Sequence, residues 1–279
     1  MSPTELRADR KAKVAARPVR RRGDIVRPVV VMVSVGFAIA CAAVASGVTG
    51  GSSIAELQGG ALGADATLLA PARPAFSIWG AVYLGLVGYA LWQALPAQRA
   101  DARQRVVGWW IAGTAVLNGA WLLAAQYGPL WSTVVVIVAL FAALAATFVR
   151  VVRSARTRSP WLDLALVDAV TGLHLGWVTV ASAANVFAWL PEAWSAVSEP
   201  AAVWTLAGLA LVGLAGSWAS GWRIAPPWAM GWGAAWIGVQ RLTGEPASDP
   251  VGWTALAAAA VLVVVPVAAR LALALRGRD

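Results

Sequence analysis

Charge is what this chain has least of. Only 13% of its 279 residues are Asp, Glu, Lys or Arg, and 59% are apolar. A water-soluble domain of this length needs a polar surface, and the residues to make one are missing. Histidine and cysteine occur once each, as His174 and Cys41. A single thiol makes no intramolecular disulfide, and with no second thiol or histidine cluster it is not a metal site. No Ser/His/Asp set, metal-ligand cluster or phosphate-binding glycine loop is present. Ordinary hydrolytic or transfer chemistry, and hence an enzyme, is therefore not expected. Strict polar/apolar alternation is absent too, which argues against a β-barrel. No internal repeat is evident, so an inverted-repeat transporter is not indicated.

What is present is a series of long apolar runs. Runs of 18 or more cross the roughly 30 Å hydrocarbon core. Across that core every backbone group must be bonded internally, so the runs are helices. Eight are expected, at about 28–48, 74–95, 106–126, 130–149, 161–190, 201–222, 227–240 and 251–269. The seventh is the weakest, being short and glycine-rich. The fold class is thus an all-α membrane protein, a polytopic bundle of about eight transmembrane helices.

The net charge of +9 is placed in a way that argues against a nucleic-acid role. Nine of the 22 Lys and Arg precede the first run, and most others fall in alternate loops. With eight spans, 20 basic residues lie on one side and two, Arg73 and Arg241, on the other. The positive-inside rule then puts both termini in the cytoplasm. Residues 1–27 read as a basic, disordered cytoplasmic tail attracted to anionic lipid. A signal peptide is the competing reading of 1–48, but the apolar stretch exceeds the usual 7–15 residues of an h-region.

Seventeen tryptophans exceed ordinary usage. Trp131, Trp161, Trp189, Trp194, Trp222, Trp228 and Trp253 sit at span ends, as an interfacial belt requires. Trp177, Trp232 and Trp236 lie away from the ends and need acceptors on other helices or on a ligand. The fifth span carries Asp163, Asp168, His174, Trp177, Ser182 and Asn185. Ionisable groups inside a membrane usually face a bundle interior or cavity. Asp163 follows Ser159-Pro160 and reads as first-turn dipole compensation. Asp168 either pairs with an arginine or stays protonated. At 100° per residue His174, Trp177, Ala181 and Asn185 share a stripe.

Three patches together resemble the TspO/MBR family of tryptophan-rich sensory proteins, which includes the translocator protein. They are Phe76-Ser77-Ile78-Trp79-Gly80-Ala81-Val82-Tyr83, Leu117-Asn118-Gly119-Ala120-Trp121, and Trp177-Val178-Thr179-Val180-Ala181 followed by Asn185. The resemblance covers about 28–190, implying a five-helix core, with 191–279 forming three additional helices and a short basic tail. Two stretches depart from the family pattern. Leu69-Ala70-Pro71-Ala72-Arg73-Pro74 has no Trp between prolines, and Leu173-His174 stands where the family has Pro-Tyr.

The alternating directions of the spans put the three patches at one depth, in the outer half, with the 49–73 loop above them as a lid. Trp79, Tyr83, Asn118, Trp121, Trp177 and Asn185 are expected to line one cavity, with His174 at its floor. The competing reading is helix packing with interhelical hydrogen bonds from Asn118 and Asn185. Trp and Tyr faces with a few amides suit a flat, apolar ligand, and the resemblance implies a tetrapyrrole. No resident cofactor is expected. The leading function is a binding or sensory protein for such a ligand. The alternatives are a transporter using Asp168 and His174 as a proton relay and, third, a porphyrin-modifying enzyme. Expected partners are membrane lipid and an apolar small molecule, with a homodimer left open. The expected location is a bacterial inner membrane.

Overall fold

The computed structural model describes residues 21–47, 56, 58–154, 160–193 and 198–276, without the side chains of 191–193. Eight principal helices run in order: α1 Gly23–Ala45, α2 Ile78–Gln93, α3 Ala102–Tyr127, α4 Leu130–Arg153, α5 Val170–Ala193, α6 Glu199–Ala219, α7 Ala225–Thr243 and α8 Asp249–Arg276. A 3-10 turn, Arg73–Ser77, leads into α2. A helical turn, Pro160–Leu162, and a π-helix, Asp163–Ala169, lead into α5. With their lead-in turns, all but α7 are long and apolar enough to cross a membrane. Leu84, Leu91, Leu211 and Trp204 are exposed, as a lipid-facing surface requires and a water-facing one does not. The chain is a multi-pass, all-α membrane protein.

Helix α7 lacks the composition of a lipid-facing span because little of it faces lipid. It buries Pro226, Ala229, Met230, Gly233, Ala234 and Ile237 among its neighbours. Its small residues let backbones approach. A Cβ on Gly233 would press on Val180 of α5, and one on Gly238 on Leu256 of α8. From the α5 side, a Cβ on Gly176 would fall on the Pro226 carbonyl oxygen. At 1.5 Å per residue its 19 residues reach about 28 Å, close to the hydrocarbon thickness. It therefore runs the length of the bundle, joining α6 and α8 to α5.

Both ends of the basic segments are more ordered than the sequence pattern indicates. Helix α1 begins at Gly23, within the stretch expected to be a disordered tail. Asp24 anchors it, pairing with Arg105 at 2.6 Å and accepting from the Arg21 backbone N–H at 2.8 Å. Arg27 is fully buried and donates to Gln93 Oε1 at 3.3 Å and the Arg99 carbonyl at 3.0 Å. Helix α3 begins at Ala102 rather than near Val106, because Asp101 caps it, accepting from the N–H groups of Arg103 and Gln104. The cap makes Arg103 helical and aims it inward.

Arg103 is 3% exposed and pairs with two carboxylates, Asp163 at 3.1 Å and Asp168 at 2.8 Å. Asp168 also pairs with Arg223, in the α6–α7 connection. Asp163 is thus an ion-pair partner and not simply a dipole-compensating first-turn residue. The π-helix is what lets both carboxylates serve one arginine. On an α-helix residues five apart point about 140° apart. The wider π turn bonds i to i+5 and stacks Asp163 near Asp168.

Removing one partner from a buried charge network strands the rest, typically at a cost of about 3–5 kcal/mol. Arg103→Met should lower the unfolding free energy in micelles by that order. Arg103→Lys, which keeps the charge but not the fork, should fall between. Equal unfolding midpoints for wild type and Arg103→Met would show that the network contributes nothing to stability.

Candidate functional site

The three aromatic patches meet beneath the connection between α1 and α2. Trp79 stacks on Tyr83 one helical turn on, with ring centroids 5.4 Å apart. It meets His174 edge-on at 5.5 Å and Trp177 edge-on at 6.4 Å. Phe76 meets the other side of Trp177 at 5.5 Å. Such edge-to-face contacts suit the ring quadrupoles and fix the ring planes. Two amides tie the helices across this group. Tyr83 donates its hydroxyl to Asn118 Oδ1 at 2.8 Å, joining α2 to α3. Trp121 donates its indole N–H to Asn185 Oδ1 at 3.2 Å, joining α3 to α5. Asn185 in turn donates to the Ala181 carbonyl one turn back.

Two spaces open around these side chains. An inner void of about 50 Å³ is lined by Trp79, Asn118, Trp121, Trp177 and Asn185 and roofed by Ala61, Leu62, Gly63, Thr67, Ala70 and Pro71 of the connection. A second cleft, of about 420 Å³, opens between α1, α2, α3 and the same connection and takes in Trp79, Tyr83 and Trp121. Leu62, Phe76, Trp79 and Trp121 belong to both and form the wall between them. Ligand pockets are ordinarily about 300–1,000 Å³. The cleft is of that size and the inner void holds no more than a few waters.

Of the seven residues singled out from the sequence, five line the inner void and Tyr83 lines the adjoining cleft. His174 lines neither. It is 1% exposed beneath Trp79, and its Nε2 has no hydrogen-bond partner. Asn118 likewise keeps an unpartnered Nδ2 at the void. Among the described residues no group of three His, Cys, Asp or Glu is placed to hold a metal. Trp232, another of the indoles away from the span ends, donates to the Ala75 carbonyl at 2.8 Å and so fastens α7 to the turn before α2.

The roof is held by a residue that sequence reasoning read only as an outward-side charge. Arg241, at the end of α7, is fully buried. It donates to the carbonyls of Ala64 and Thr67 in the roof and of Glu245 and Pro246 beyond α7, all at 2.8–3.1 Å. Ala72 N–H adds a bond to the Trp236 carbonyl, and Leu69 is buried among Val180, Phe187 and Met230. Gln58 closes the near side, donating to the Ala125 and Gly128 carbonyls at the end of α3. Nothing in the spacing around Arg241 signals this role, since its acceptors are backbone carbonyls, two of them far away in the chain at Ala64 and Thr67.

Asn185→Leu leaves the Trp121 indole without its acceptor. It should cost about 0.6–2 kcal/mol, the range for interhelical bonds in membranes, read from unfolding in micelles. Arg241→Met should leave the helices intact and raise amide hydrogen exchange over residues 61–72. Unchanged exchange there would mean that Leu69 and Gln58 hold the roof without it.

No curated protein and no solved structure matches the chain. The chain matches a family model described as TSPO-like protein. The match runs from the start of α1 nearly to the end of α8, taking in α6 and α7, which the three motifs do not reach. With residues 28–268 matched, the chain belongs to the TSPO-like family.

Proposed function

We propose that this protein is a membrane binding and sensory protein for a flat, largely apolar ligand of the tetrapyrrole type. The ligand is taken into the cleft between α1, α2 and α3. One observation carries the reading: three of the four residues in the wall between cleft and void are aromatic. Trp79, Phe76 and Trp121 offer a ring system stacking surfaces, while Asn118 Nδ2 supplies an unused donor behind them. Family membership supports the binding class. The cleft has the volume for a ligand of this type and the inner void has not, so a bound molecule either stays in the cleft or parts the wall.

A transporter is the weaker reading. Its proton relay rests on Asp168 and His174, yet Asp168 is committed to Arg103 and Arg223, and His174 packs against Trp79. The positive-inside distribution supports cytoplasmic termini in a bacterial inner membrane, with the cleft and its roof on the outer side.

Protoporphyrin IX titrated against purified protein should quench tryptophan fluorescence with a saturable isotherm. Trp79→Ala, which removes the shared wall, should weaken binding by roughly thirtyfold, as loss of a central aromatic anchor does. The proposal fails if no tetrapyrrole quenches saturably, or if Trp79→Ala leaves the isotherm unchanged. Tetrapyrrole flux in liposomes would favour transport, and a modified product would favour an enzyme.

Topology has its own test. On a Cys41→Ala background, a cysteine placed at Ser52 should react with an impermeant maleimide added outside whole cells. One placed at Arg278 should react only after lysis. External labelling at 278 would overturn the orientation.

A further inference from the structure

A third apolar space shares no residue with the inner void or the roofed cleft. It is a groove of about 380 Å³ between α4 and α6, with α5 and α7 behind it. Phe141, Phe148 and Val152 form one wall, Val212 and Gly216 the other, and Met230 lies at the back. Gly216 opens directly onto space, since a Cβ there would meet nothing within 4 Å. The polar side chains along the groove are satisfied within their own helices: Thr179 bonds the Leu175 carbonyl and Ser220 the Ser217 carbonyl. The interior therefore asks for hydrocarbon.

The groove's length and its one charge say which hydrocarbon. From Phe141 to Arg153 the α4 wall rises about 18 Å at 1.5 Å per residue. That is close to one leaflet, half of a core roughly 30 Å thick. The groove thus starts near mid-membrane and ends at the interface. Arg153 stands at that interfacial end and lines the groove. It differs from Arg150 one turn back, which sits over the Trp110 ring and donates to the Ala146 carbonyl. Among the described residues no carboxylate lies within ion-pair distance of Arg153. A basic residue capping an apolar slot between helices at headgroup level is complementary to a chain with an anionic head.

We propose that this groove holds one acyl chain of an anionic phospholipid, with the phosphate resting on Arg153. The site is separate from the aromatic cleft and does not depend on its ligand. Lipid held there fills the gap between α4 and α6, sealing the flank where the helix pairs stand apart.

Native mass spectrometry on protein extracted from vesicles of equal parts dioleoyl phosphatidylglycerol and dioleoyl phosphatidylcholine tests it. Wild type should retain one lipid and prefer phosphatidylglycerol by roughly fivefold, the share expected from one basic residue near the surface. Arg153→Gln should abolish the preference while some lipid of both kinds remains. Gly216→Leu fills the groove and should lose both lipids. Replacing a helical glycine where there is room also favours folding. Should Gly216→Leu misfold by circular dichroism, Val212→Trp on the same wall serves in its place. Equal retention of the two lipids by wild type, or lipid retention unchanged in the filled groove, overturns the proposal. So does a wild-type dimer that the filled groove dissociates, since the face then belongs to a second copy.

Discussion

Two carboxylates and the Arg103 guanidinium are buried, with a partly exposed Arg223 beside them, and much of the architecture serves to keep them paired. Arg103 reaches them only because Asp101 starts α3 a turn early. Asp163 and Asp168 reach Arg103 together only because the chain widens to a π turn. Arg223 joins from the connection between α6 and α7, so one cluster draws in α3, the approach to α5 and the start of α7. A buried ion pair replaced whole by apolar residues is often no less stable, so its use here is better read as registration than as stabilisation. It sets the height at which three segments meet.

From that registration the other end of the molecule follows. With α7 seated against Gly172 and Gly176 of α5, its far end carries Trp232, Trp236 and Arg241 up to the connection between α1 and α2. The roof over the aromatic group is therefore held chiefly by α7, with Gln58 tying it to the end of α3 and Leu69 packing on α5. Arginine suits that role because its five donors fan out in a plane and satisfy several carbonyls at once. The aromatic wall below is in contrast held by rings and two amides, with an unpartnered donor left at the void.

Seven of the eight helices were legible in the sequence because apolar run length is a direct consequence of bilayer thickness, while α7 showed only as a short, glycine-rich run. The meeting of Trp79, Asn118, Trp121, Trp177 and Asn185 was legible too, because alternating spans fix depth and helical periodicity fixes the face. His174 follows the stripe but not the cavity, since Trp79 covers it. The buried arginines were not legible. Arg27, Arg103 and Arg241 flank apolar runs, where composition alone reads them as loop charges. Each is internal because carbonyls, a glutamine or carboxylates from distant segments receive it. The π turn escaped for a related reason, as only the shared demand of Arg103 explains it.

The seclusion of α7 bears on how the chain is made. A segment this rich in glycine has little reason of its own to leave the translocon for lipid. Its small faces become an advantage only once α5 is in place on one side and α8 on the other. Because α8 follows α7 in the chain, one of the two faces of α7 has no partner until α8 has been made. The close meeting of Gly238 with Leu256, and of Gly252 with Leu242, makes the two a natural hairpin for joint insertion. The roof that Arg241 holds therefore depends on the pairing of α7 with α8.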